Sequence, residues 1–365
     1  MKSYNHLWEK FISDENIDLA IKNASRGKKD RKSVKRRLDN PNFKKEIKHY
    51  ANNFKNRKHK PKEIYDGIQR KKRTIIVPCF DEQVIHHMVV NVLKPIFLKP
   101  MYLHSYGSLP KRGGHKGKKA IEKFIRKHPK DCKYVLKMDI RKYFDSIPHE
   151  PMVERLRALI HDDKFLKILV EIINVIPQGL PLGFYTSQWL ANWYLQGLDH
   201  YIKEDLHALF YIRYMDDMVV FGSNKRKMHG IKDSIRDYLV LLGLELKRNW
   251  QVFRFDYNNK FRFLDFMGFR FYRNRTTLRR SIMLKLTRKA RRIWKMDEIT
   301  VHAARQMLSY LGWIDCTDTY NMYSEWVKPI VNIQNLKRKL GRYDKNKNRR
   351  VRYDLVQNRI DCNAA

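Results

Sequence analysis

LFYIRYMDDMVVF, residues 209–221, is two apolar runs around a polar pair. Runs of β-branched and aromatic residues broken by turn formers read as a β-hairpin with the acids at its tip. Aspartate suits a turn, so the pair alone fits a plain hairpin about equally well. A second stretch changes its weight. KYVLKMDI, residues 133–140, reads as a strand that delivers a lone acid, Asp139. If that strand pairs beside the hairpin, Asp139, Asp216 and Asp217 converge. At an effective dielectric of about 20, two unit charges about 4 Å apart repel by roughly 4 kcal/mol. Such a cluster is stable only around cations, and two Mg²⁺ about 3.5–4 Å apart are the arrangement of in-line phosphoryl transfer, with Mn²⁺ as the alternative ion.

Outward from these stretches, strands and helices alternate irregularly. Residues 74–96 begin as a short strand and become helical after Asp81, a suitable N-cap. GSLPKRGGHKGKKA, residues 107–120, is a loop leading into a helix around 121–126. Pro148 marks entry into a helix running toward Leu159, with Asp145 as its cap. A long helix over 187–206 follows the segment PQGLPLGFYTSQ, and 231–242 form an amphipathic helix. Residues 250–256 and 261–273 read as short strands, 1–70 as basic and mostly helical, and the rest as helix to about Leu340. This order predicts an α+β domain followed by an all-helical one, not a doubly wound sheet.

The 365 residues carry 77 Lys plus Arg against 38 Asp plus Glu, a net charge of +39. A chain this positive repels itself unless a polyanion neutralises it, which points to nucleic acid. The excess is clustered in Lys28–Lys62, in LKLTRKARRIWK at 284–295 and in KRKLGRYDKNKNRRVR at 337–352. Lys285, Arg288, Arg292 and Lys295 recur at helical spacing and form a basic stripe suited to a phosphate backbone. With 43% apolar residues the chain is too rich in core formers to be disordered. It contains no apolar run of membrane-spanning length and no signal-peptide pattern at its start. Cys79, Cys132, Cys316 and Cys362 form no CxxC pair, which fits a reducing cytoplasm.

Seven segments together resemble the reverse transcriptases of bacterial retroelements. They are KKRTIIVPCFDEQVIHHMVVNVLKPIF (71–97), SYGSLPKRGGHKGKKAI (105–121), VLKMDIRKYFDSIPH (135–149), PLGFYTSQWLANWYL (181–195), YMDDMVVFG (214–222), GLELKRNWQV (243–252) and FLDFMGFRF (263–271). The resemblance implies a right-hand polymerase of fingers, antiparallel-sheet palm and helical thumb. It divides the chain into a basic extension (1–70), fingers and palm (71–275), thumb (276–340) and basic tail (341–365). Asp139 and Asp216 would ligate both metal ions, with Asp217 in a less direct role and the Ile140 carbonyl as a further ligand. Phe144 matches the aromatic that stacks under the incoming ribose and blocks a 2′-OH. Lys71, Lys72 and Arg73 match cations that grip the triphosphate, Arg73 best because guanidinium binds phosphate bidentately. Arg112 is a weaker candidate for template or nucleotide contact. Met267 and Gly268 match the turn that approaches the primer end, and Lys285, Arg288 and Arg292 would meet template and primer. Where the family often has a lysine near the pyrophosphate the register puts Trp250; Lys247 and Arg248 are close enough to substitute, although a solvated role suits them equally. Cys79 and His149 read as packing or capping residues.

The fourth segment narrows the type. Most relatives carry QGxxxSP there, whereas this chain reads Leu182-Gly183-Phe184-Tyr185-Thr186-Ser187-Gln188. An aliphatic residue in place of the glutamine, followed by SQ, resembles the enzymes of diversity-generating retroelements. An aliphatic side chain cannot hydrogen-bond the sugar or minor-groove edge, so checking of the base pair should loosen. Leu182 and Gly183 would then line the nucleotide site, with Ser187 and Gln188 near template and primer. The implied activity is error-prone copying of template RNA into cDNA from dNTPs, with a small basic helical accessory protein as partner. Asp131, Glu150, Glu154, Asp162 and Asp163 are candidates for a face that holds it. Phage-defence, retron-like or group II intron-like enzymes, and a non-catalytic RNA-binding protein of polymerase fold, are the competing readings.

Overall fold

Short helices build the N-terminal part, as the basic, apolar-spotted sequence predicts. The computed structural model describes residues 3–66, 71–255 and 262–346. They begin with α1 (Leu7–Phe11), α2 (Asp14–Ala24), α3 (Lys32–Leu38) and α4 (Phe43–Asn52). Ser13 caps α2 by accepting the Asn16 N–H, and Ile17, Ala20 and Ala24 bury one face of it against α5 (Phe80–Leu98). Between them, β1 (Lys62–Asp66) and β2 (Lys71–Ile75) pair antiparallel. The first of these strands lies in a stretch expected to be helical. KEIYD holds only two apolar residues among charges, too few to show a strand period. The helix α5 starts at Phe80 with Cys79 as its N-cap, not Asp81, and the Cys79 N–H donates to the Glu82 carboxylate at 3.3 Å.

Then come α6 (Gly114–Lys127), β3 (Tyr134–Asp139), α7 (Tyr143–Ser146), α8 (His149–Leu159) and α9 (Asp163–Ile173). Asp145 lies inside the single turn α7, and Pro148 takes the N-cap of α8, so Asp145 is not the cap expected. Next are α10 (Tyr185–Tyr194), α11 (Gln196–His200) with a π-turn over Tyr201–Asp205, β4 (Phe210–Tyr214), β5 (Asp217–Gly222), α12 (Lys225–Leu241) and β6 (Gln251–Arg254). The strands β4-β5-β3-β6 form one antiparallel sheet in that order. Both central strands are flanked by strands and covered by side chains, which is why MVVF is an unbroken apolar run: Met218, Val219, Val220 and Phe221 are all buried. The register sets Asp139 opposite Asp217.

By contact the chain divides into two compact units between Phe255 and Asp256, ahead of the boundary expected at 275. The second unit is not all-helical. It carries β7 (Leu264–Phe266), β8 (Phe269–Phe271) and β9 (Thr276–Leu278) as an antiparallel sheet, then α13 (Arg280–Trp294), α14 (Val301–Ile314), α15 (Tyr320–Trp326) and helical turns over 333–346. Within the stretch 261–273, β7 and β8 form a hairpin, and its turn falls at Met267 and Gly268, both at positive φ, the signature of a tight two-residue turn. At Gly268 a Cβ would lie 2.9 Å from Ile282 and 3.1 Å from Trp313. Most of the basic tail, residues 347–365, lies outside the described residues. No described helix is long and apolar enough to cross a membrane.

Candidate active site

β3 ends on Asp139, and the β4–β5 turn carries Asp216 to its side. The Asp216 carboxyl lies within hydrogen-bond reach of Asp139. Burial first, and then the negative charges of Asp217 and Asp139, push Asp216 up to about 7. Asp139 is held differently. Its Oδ2 accepts from Lys247 Nζ at 2.7 Å, and that bond raises the Lys247 ammonium above its ordinary range. Lys247 therefore reaches the acids, whereas Trp250 turns to α12, under the Lys232 ammonium (4.6 Å) and edge-on to His229.

Ile140 is placed by an antiparallel bridge to Leu246, with Arg141 N–H donating to Glu245 O and Lys247 N–H to Asp139 O. In that pattern Ile140 and Leu246 are a non-hydrogen-bonded pair, so the Ile140 carbonyl points away from Leu246, toward the β5 side and the hairpin tip. Two carboxylates and one carbonyl thus share a neighbourhood. Among the described residues no three His, Cys, Asp or Glu side chains gather closely enough to close a metal site alone. Asp217 lines a small recess of about 100 Å³ with Asn249 and Gln251, beside the main cleft.

That cleft is open, about 890 Å³, with Asp139, Ile140, Asp145 and Asp216 on its acidic side. Lys72, Arg73, Arg141, Lys142 and Arg248 supply cations, and Phe144 and Leu182 apolar surface. Lys142 is itself in the left-handed region, φ 44°. Lys71 opens β2, and its side chain lies outside the described residues. The Leu182 carbonyl accepts from Ile76 N–H at 2.7 Å, and Gly183, at φ +112°, passes so close that a Cβ would stand 2.1 Å from the Ile76 oxygen. Behind the cleft, Phe184 is buried 4.4 Å from the His86 ring, His86 Nδ1 bonds Thr186 Oγ1 at 3.0 Å, and Tyr185 stacks on His87.

Two expected contacts are corrected. Ser187 is 2% exposed within α10, so of the Ser187-Gln188 pair only Gln188 faces solvent. Arg112 Nη1 donates to the Tyr102 and Ser105 carbonyls, 2.5 and 3.0 Å, which gives it an internal role holding its loop. Lys285, Arg288 and Arg292 are exposed on α13, and Met267-Gly268 forms its turn, both in the second unit. His149, read as a packing or capping residue, bonds inside the fold, its Nε2–H donating to Gly179 O at 2.7 Å. Asp162 caps α9 and also accepts the Trp8 N–H, so it is spent inside the fold.

The sequence reading missed what fixes the tip. Arg213 and Asp199 form an ion pair with both side chains fully buried, Nη2 to Oδ2 2.5 Å and Nε to Oδ1 2.7 Å. Tyr211 OH donates to the same carboxylate at 2.8 Å. Arg213 Nη1 donates onward to Met215 O (3.1 Å) and Asn192 Oδ1 (3.2 Å). Asn192 Nδ2 in turn donates to Gly107 O (2.9 Å) and reaches Met215 Sδ. Met215 sits at φ 56°, a strained place for a side chain, and this network holds it there. A lone arginine inside the apolar run FYIRYM was the available signal, since a buried charge needs a partner.

Comparison with known proteins gives the family of the chain. Residues 57–271 match the family described as reverse transcriptase (RNA-dependent DNA polymerase), and the chain belongs to that family. It is 27% identical over 197 residues to the retron Ec73 reverse transcriptase of Escherichia coli, 50% of this chain and 59% of that protein. It is 24% identical over 149 residues to protein YkfC of Escherichia coli K12, 37% and 38% of the two chains. The group II intron-encoded protein LtrA of Lactococcus lactis is 24% identical over 145 residues, 37% and 24%. The chain spans less than two thirds of each of these relatives. Among solved structures, telomerase from Candida tropicalis in complex with a telomeric RNA fragment aligns at TM-score 0.49 and 12% identity, over 73% of this chain and 54% of that one.

Proposed function

We propose that the protein is an RNA-directed DNA polymerase, copying template RNA from a primer into cDNA with dNTPs, and that it is the error-prone enzyme of a diversity-generating retroelement. The observation that carries the first part is the meeting of Asp139 and Asp216 in a cleft that also holds cations and Phe144. The donors suit Mg²⁺ or Mn²⁺: hard carboxylate and carbonyl oxygens, a buried acid raised for want of a counter-charge, and a lysine already drawn onto its neighbour. Asp139, Asp216 and the Ile140 carbonyl would hold such ions, which would supply activation of the primer hydroxyl and charge stabilisation of the leaving pyrophosphate. Lys72 and Arg73 bind the triphosphate, Lys247 or Arg248 supplies a cation beside the pyrophosphate, and Phe144 supports the ribose. Asp217 sets the field around Asp216 from its own recess. In the first unit Gln188 meets template or primer; within the second unit the Met267-Gly268 turn and the α13 stripe offer their own surface to the strands.

Asp216→Asn should lower dNTP incorporation on an RNA template by about 10³-fold, the scale of a lost electrostatic element in catalysis. Incorporation equal to wild type would remove Asp216 from the site. The error-prone reading rests on Leu182, an aliphatic residue lining the cleft at the position where the resemblance leads one to expect glutamine. Leu182→Gln should reduce misincorporation on defined templates several-fold, about 1 kcal/mol of added discrimination from one hydrogen bond. An unchanged error spectrum would favour the second reading, a retron-type enzyme, which the likeness to the Ec73 enzyme supports. A small basic accessory protein would be held through shared RNA, given the charge of this chain.

A further inference from the structure

Some exposed helices of this chain carry their own counter-charges or take them from a neighbour. On α12, Arg236 pairs with Asp233 and Asp237, and Lys232 with Asp233. On α2, Asp14 and Asp18 take Lys44 and Lys48 from α4. Helix α6 in the first unit, like α13 in the second, does not. Its outer face presents Lys116, Lys119, Lys123 and Lys127, all exposed, and Arg126 beside them. Its one acid, Glu122, is taken by Lys118 at 2.7 Å. Among the described residues no carboxylate pairs with the four lysines of the face. At about 100° per residue they fall within about 80° of the circumference, in a line about 16 Å long. Ile121 and Ile125 lie opposite, buried.

The stripe also has a direction. The loop before α6 touches the hairpin tip through Asn192, which binds Gly107 O and Met215 Sδ. The far end of the helix packs on the first residue of β4, with Phe124 5.2 Å and His128 4.7 Å from Phe210. The lysines therefore run from the catalytic end of the sheet along its β4 edge, outside the cleft.

We propose that this α6 face is a second nucleic-acid site, which holds the phosphate backbone of RNA flanking the copied stretch. The proposal rests on the polymerase reading for the identity of the strand. Successive lysines one helical turn apart meet successive phosphates, and each contact releases bound counterions. The test is anisotropy binding of a single-stranded RNA of about 60 nucleotides, without metal or dNTPs, at about 50 to 200 mM salt. Replacing Lys116, Lys119, Lys123 and Lys127 together by Gln should flatten the slope of log K against log salt by about 3, four contacts at about 0.7 each. Replacing the same four by Arg should keep the wild-type slope, with thermal unfolding of both variants reporting on folding. A Gln variant that folds and binds with the wild-type slope overturns the site. Loss of phosphatidylserine-vesicle binding with RNA binding intact would overturn it as well, in favour of a membrane. Incorporation by the wild type is assayed separately, so failure of the polymerase reading leaves the binding result standing on its own.

Discussion

His86 illustrates how one residue carries both packing and pH response. It is 1% exposed, wedged against Phe184, and burial pushes its imidazole down to about 3. His87 beside it is lowered to about 4, by burial and then by Lys28. A histidine that stays neutral when folded but protonates near 6.5 when unfolded stabilises the fold fully above pH 6.5. That contribution is lost as pH falls toward the folded value, at up to about 1.4 kcal/mol per pH unit for each group. Asp216 has the opposite sign. Its raised carboxyl keeps a proton in the metal-free fold that the unfolded chain has released, so its contribution falls as pH rises from about 4 to 7. Comparing wild type with His86→Gln cancels the Asp216 part. Urea unfolding should show wild type losing about 1 kcal/mol or more, relative to the variant, between pH 6.5 and about 5.5. Equal losses in the two proteins would mean that His86 is not buried in the neutral form.

At the scale of elements, β3, β4 and β5 were legible because the central β3 and β5, and the middle of the edge strand β4, are buried on both faces and so spell largely apolar runs. The hairpin β1–β2 was not, since an exposed two-stranded ribbon of charged residues carries no period. α9 did carry one, with Phe165, Leu166, Leu169, Ile172 and Ile173 buried at helical spacing, yet it was passed over. Asp139 and Asp216 could be read as partners because each lies at the end of a legible strand. The burial of Ser187 could not, because it depends on α10 packing against α5, far along the chain. Nor could the inward bonds of Arg112, because a loop sequence does not show which nearby carbonyls the guanidinium will meet. The Arg213–Asp199 pair is of this second kind and sets the β4–β5 tip. Arg213→Met leaves Asp199 buried without its partner and should cost about 3–5 kcal/mol in chemical denaturation. Adding Asp199→Leu removes the stranded charge and should restore most of that stability. Activity should not return with it, since the Met215 carbonyl and Asn192 still lack their donor. A double variant that regains stability and incorporation together would show that the pair supports the fold without positioning Asp216.

On the scale of the whole molecule, charge is the dominant fact. A net +39 in the sequence cannot be relieved internally, because 38 acids cannot neutralise 77 cations. Several of those acids are also committed to the site or the core: Asp139 and Asp216 in the cleft, Asp199 inside the fold, Asp162 on α9. The surplus lies on exposed faces in both units, on α6 in the first and α13 in the second. Binding that releases many counterions weakens as a power of salt concentration, by about 0.7 per phosphate contacted on a single strand. Eight or so contacts, the four lysines of α6 and a similar number from α13 and the cleft, give a log–log slope near −5 or −6 for RNA. Affinity should then fall by about 10³-fold between about 50 and 200 mM salt. Incorporation rate at saturating RNA should change far less, since it reports chemistry after the strand is bound. A slope shallower than about −2 would mean that most of the surplus stays solvated and that the strand is held by a few contacts within the cleft alone.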